Sequence, residues 1–140
     1  IAAHPDAYDL QRLLVFDYFV VHSADLEGGP VSLHPATPQR SGEILVRRQL
    51  VEQGLLLYMS RGLVERRMEP DGFRFAATEG AAPFLDCVVA PYCDQLRVRA
   101  DWVVGSFGQL DARELDALVK EHLGRWGAEF ESEAALGGEP

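Results

Sequence analysis

The chain has 140 residues, 47% of them hydrophobic, and a formal net charge of −9, which suits one domain with a real core and a helical appendage. No apolar run is long enough to span a bilayer, and no secretory signal pattern opens the chain. The charge is uneven: residues 1–39 hold five acids and one base, residues 40–74 seven arginines and five acids, and residues 75–140 twelve acids and five bases, so only the middle can attract phosphate.

Residues 6–22 carry apolar side chains at helical spacing: Leu10, Leu13, Leu14, Val20 and Val21, widened by Phe16 and Phe19. Asp6 follows Pro5 and is the expected cap. Asp17 and His22 read better as a surface carboxylate and a helix-terminal histidine, favoured by the dipole, than as a buried polar pair. Residues 25–39 contain Gly28-Gly29-Pro30, His34-Pro35 and Thr37-Pro38. Three prolines in nine residues forbid a helix there and predict a rigid, partly extended loop. The loop lacks phosphate-binding spacing.

Residues 41–59 form the next helical region, continuous or broken near Gly54, where glycine suggests a bend or close packing. Gly62 is a left-handed stop. Residues 64–68 and 73–77 should pair as a hairpin, because Glu69-Pro70-Asp71-Gly72 has turn chemistry and Phe73 and Phe75 alternate with Arg74. Thr78 is the expected cap of a further helix. Helix, hairpin, helix is the back half of a winged helix-turn-helix. The expected fold is therefore mainly α with a small β-hairpin: a winged helix-turn-helix core with a C-terminal helical extension. An unusual feature is the run Leu55-Leu56-Leu57-Tyr58-Met59, where a DNA-reading helix would show polar and basic groups.

A short helix over residues 84–89 should stop or kink at Pro91, and a longer one follows over residues 93–107, with Leu96, Val103, Val104 and Phe107 inward. Asp111 and Glu114 match a capping-box variant ahead of Leu115, Leu118, Val119, His122 and Trp126. Residues 131–140 are acidic, small and Gly-rich and predict a flexible tail. The expected organisation is a core over residues 1–90, helices packed on it over 91–130, and the tail. The first residue is Ile1 and not Met, which predicts residues upstream. Cys87 and Cys93 suit free thiols in a cytoplasmic protein better than half a metal site.

No H-E-x-x-H, G-x-S-x-G or C-x-x-C occurs, and His4, His22, His34 and His122 lack ligand spacing. No enzyme activity, cofactor or metal is expected. His34, between Leu33 and Pro35, is the best single candidate for a polar contact, with loop anchoring as its alternative. Arg47, Arg48, Arg66, Arg67 and Arg74 are the candidate DNA-backbone contacts. Trp126 between Gly124 and Gly127 suits either an interface or ordinary core packing.

The stretch over residues 16–48, FDYFVVHSADLEGGPVSLHPATPQRSGEILVRR, and the late HLGRWGAEF over residues 122–130 resemble the small middle-component family of three-component ABC-type ATPase systems. Asp17, Tyr18, His22, Ser23, Gly28, Gly29, Pro30, Ser32, Leu33, His34, Pro35, Thr37, Pro38, Arg40, Gly42 and Glu43 carry the likeness, then Gly124, Arg125, Trp126 and Gly127. The resemblance implies a non-catalytic adaptor in bacterial antiphage defence, linking a coiled-coil ABC ATPase to a larger effector. Its candidate partner-binding residues are Gly29, His34, Arg40, Arg125 and Trp126. It leaves open a homodimer and weak nucleic-acid contact. The rival reading is a winged-helix transcription regulator that uses the basic stretch.

Overall fold

A computed structural model describes residues 1–35 and 40–123. Five helices and one hairpin follow in order: α1 Leu10–Val21, α2 Arg40–Ser60, β1 Val64–Glu69, β2 Gly72–Ala77, α3 Ala81–Asp86, α4 Pro91–Phe107 and α5 Ala112–Leu123, with a 3-10 turn at Ser23–Asp25 after α1. The described part is thus mainly helical with one two-stranded antiparallel hairpin.

Helix α1 is the spine. Leu14, Val15, Phe16, Tyr18, Phe19 and Val21 are all buried, so the broad apolar face is covered from several sides. The core cluster joins Leu14, Phe16 and Phe19 of α1 to Val103 of α4 and to Leu115 and Val119 of α5. Phe19 also meets Phe107 with ring centroids 5.6 Å apart, a favourable aromatic spacing.

The helix begins at Leu10, later than the Asp6 start. Asp9 is the cap: its carboxylate accepts from Arg12 N at 2.7 Å. The reason is tertiary. Tyr8 exchanges backbone hydrogen bonds with Phe75, N–H to O at 2.9 and 2.8 Å, so the chain at Tyr8 is held as an isolated bridge beside β2 and cannot yet be helical. Burial raises the pKa of the Tyr8 phenol, opposed by the charge of Arg12. The same arginine donates to the carbonyls of Gly108 and Leu110 beyond α4.

Helix α2 runs unbroken through Gly54. Residues 40–60, read as the second and third helices of a winged helix, form one helix here, ahead of the hairpin. The helix does not break at Gly54, and a Cβ there would meet nothing within 4 Å, so the glycine does not serve close packing. Gly62, at φ 71°, ends the unit as expected: Leu63 N donates to Tyr58 O and Gly62 N to Met59 O, the paired bonds of a Schellman stop.

The hairpin pairs Val64 with Ala77, Arg66 with Phe75 and Met68 with Phe73, closing at Glu69 and Gly72 around Pro70-Asp71. Gly72 has φ 127°, a value that side chains disfavour. Thr78 does not cap α3. Its hydroxyl donates to Gly62 O at 2.7 Å, bracing the end of α2, and Gly80 stands at the cap. Pro91 opens α4 and does not end α3, since its missing N–H is harmless in a first turn. The capping box at α5 forms as expected: Asp111 N donates to Glu114 and Glu114 N to Asp111, both at 2.8 Å.

Candidate interaction surface

The loop after α1 is built inward from the 3-10 turn. Ser23 is fully buried, and its hydroxyl donates to Pro30 O at 2.9 Å. Ala24 N donates to Ser32 Oγ, and the N–H groups of Leu33 and His34 both reach Val21 O at 2.9 and 3.0 Å. Gly28 takes φ 74°. A Cβ on Gly29 would lie 1.9 Å from Ser23 O, so only glycine fits. The proline-rich loop is therefore folded back on the end of α1 and held by its own backbone bonds.

Arg99 of α4 clamps it from the far side. It is 7% exposed, and its guanidinium donates to Val31 O through Nε at 2.9 Å and Nη2 at 2.7 Å, and to Gln95 through Nη1. Sequence reasoning did not single out Arg99. Its signal was weak: a charge within an otherwise helical, partly apolar pattern.

His34 shares a 2.8 Å hydrogen bond with the Tyr92 hydroxyl, with the two rings stacked. Its ring also stands edge-on to His22. Tyr92 is half exposed and Val31 projects to solvent, so the clamped loop presents a small aromatic and apolar shelf at the start of α4.

Beneath the shelf, α1 and α2 are joined by a polar ladder. His22 Nε2 lies 2.8 Å from Glu43 Oε1, Arg47 Nη1 lies 3.9 Å from the same oxygen, and Arg47 Nε lies 2.5 Å from Asp17 Oδ2. His22 is 2% exposed. This corrects the reading of the pair: His22 does stand at the end of α1 but is buried, because α2 covers it and meets its imidazole with a carboxylate, while Asp17, 33% exposed, is paired with Arg47.

Among the candidate partner-binding residues, Gly29 is an internal packing site and His34 lies on the shelf. Arg40 opens α2, and its side chain is outside the described part. Arg125 and Trp126 lie outside the described residues, as do Thr37, Pro38 and the tail. The five arginines considered for DNA are mostly engaged within the molecule. Arg47 is paired as above, Arg48 with Glu52, Arg67 with Glu65, and Arg74 with Glu69 and Asp71. The hydrogen bond to Asp71 is the leading reason the Arg74 pKa is raised. Arg66 lies over the Phe73 ring at 4.3 Å.

Among the described residues, no group of three His, Cys, Asp or Glu side chains could hold a metal ion, and no helix is long and apolar enough to cross a membrane. Cys87 and Cys93 are free thiols.

Compared with known proteins, residues 1–129 match the family model described as ABC-three component (ABC-3C) system Middle Component 2. No curated protein and no solved structure gives a match.

Proposed function

We propose, from the premise that this chain belongs to the Middle Component 2 family of ABC-three component systems, that it is the non-catalytic adaptor of its system, linking an ABC-type ATPase to a larger effector. Its place as a component of a multi-component system makes it an accessory subunit. The linking role, a place in bacterial antiphage defence and a cytoplasmic location are the further steps of the proposal.

One observation carries the assignment to the loop. The chain from Ser23 to His34 is braced by its own backbone, by Ser23 and by Arg99, with Val31 and Tyr92 turned outward. A surface ordered before binding loses little entropy on docking. Gly29 supports that role by packing and not by contact. Arg40, where the loop meets α2, remains the proposed anchor, since a guanidinium can hold a carboxylate in two-pronged fashion. Arg125 and Trp126 complete the proposed contact set. The regulator alternative draws no support from arginines already paired with carboxylates of the same molecule.

The test is co-purification with the other two components of the system. Arg40→Ala is expected to weaken the complex while leaving the helicity and melting of the isolated chain unchanged. A variant that unfolds the domain would make Arg40 an internal brace and remove the loop anchor. Wild-type chain that associates with neither component would overturn the adaptor assignment itself.

A further inference from the structure

Helix α2 has two apolar sides, and the described structure covers only one. Successive residues turn by roughly 100° around a helix. Val51, Leu55 and Tyr58 face a groove of about 520 Å³ shared with Phe16 and Val20 of α1 and with Val103 of α4. On the opposite side, Val46, Leu56 and Leu57 are 57%, 64% and 50% exposed, and Leu50, 59% exposed, borders both the groove and this open face. With Gln49 and Gln53 they form an arc of about 120° without a charge, running about four turns from residue 46 to residue 60. A surface helix ordinarily turns charged residues outward. Here the long leucine run reaches solvent.

Charge indicates what covers it. Residues 40–74 are the one net positive stretch of a chain whose total is −9. Arg61 follows the apolar arc at the end of α2, and among the described residues neither it nor Arg66 has a carboxylate partner. A second copy laid along α2 would bring one positive stretch against another. Like charges so placed disfavour association.

We propose that the open face of α2 docks a helix of another component of the same system, one whose apolar stripe is edged by aspartate or glutamate. The proposal rests on the accessory-subunit reading above. Apolar contact would supply most of the affinity. Arg61, with Arg66 beyond it, would select for the acidic edge and set the direction of the helix.

The test uses the full chain co-purified with the other two components. A photo-reactive phenylalanine analogue at position 57 is expected to cross-link to a helical segment of another component that carries carboxylates within a turn of its apolar stripe. Leu56→Glu with Leu57→Glu should weaken association about tenfold or more while melting is unchanged, since both side chains are already solvated. Arg61→Glu should weaken it by about threefold to tenfold at low salt and by less at high salt, and Lys in place of a cross-linked acid should restore the loss. Cross-links to a second copy, or a double-leucine variant that binds as tightly as wild type, would overturn the proposal while leaving the adaptor reading in place. So would an Arg61→Glu variant indifferent to salt and to the compensating lysine. Failure of the wild-type chain to associate at all would overturn both.

Discussion

Arg99 directs two guanidinium N–H groups at one oxygen, the carbonyl of Val31, which lies 68 residues earlier in the chain. The remaining arm returns to Gln95 one turn back on α4, which holds the fork in position. A charge that is 7% exposed is thus met, among the described residues, by neutral acceptors, the loop carbonyl of Val31 and the Gln95 oxygens of its own helix.

Arg99→Met keeps the side chain long and apolar but removes its donors. It should cost about 1–3 kcal/mol, the range for a buried acceptor left without its partner. Urea unfolding measures the cost. Amide exchange should quicken at Leu33 and His34 before it quickens in α1, because the loop loses its far-side clamp first. Uniform quickening across α1 would show instead that the arginine braces the core.

Two glycines should respond in opposite directions. Gly29→Ala sets a methyl against Ser23 O and should destabilise by about 1–3 kcal/mol or more. Gly54→Ala adds a methyl in open space within a continuous helix and should stabilise by about 0.5–1 kcal/mol. Thermal melts of the two variants beside wild type decide both. A stabilised Gly29→Ala would mean that the loop does not fold back on Ser23.

The ladder between α1 and α2 should behave as a coupled unit. His22→Ala removes a buried imidazole and one of the partners of Glu43 and should cost about 1–3 kcal/mol. A double-mutant cycle of His22→Ala with Arg47→Gln should show a coupling energy of about 0.5 kcal/mol or more, because both reach the same carboxylate oxygen. Strict additivity would mean that the two contacts are independent.

Nucleic-acid contact, if made, should be weak and run through phosphate, given the acidic flanks. Fluorescence anisotropy with unrelated duplexes at physiological salt should give no sequence preference. Arg47→Ala should lower the melting temperature more than it changes any residual binding, since Asp17 and Glu43 already hold that guanidinium. A sharp sequence-dependent shift, lost on replacing Arg47 and Arg48, would restore the regulator.

The elements whose signals are local were legible in the sequence: the apolar period of α1, the Pro-Asp-Gly turn with its alternating Phe73 and Phe75, the Gly62 stop and the Asp111–Glu114 box. Each depends on groups a few residues apart, so composition and spacing suffice. The candidate surface was legible only as a rigid loop with His34 in it. What tertiary structure decided were matters between distant residues. Tyr8 pairs with Phe75, and that moves the start of α1 from Asp6 to Asp9. Gly54 lies within one continuous helix, with open space beside it and not close packing. His22 is buried and Asp17 is paired with Arg47 because α2 packs over the end of α1, and Arg99 finds its acceptors because α4 packs against the loop. A polar side chain carries no local mark of its partner. Whether it is solvated, paired or clamped is set by which element packs over it, and that follows from burying the apolar faces of α1, α4 and α5 together.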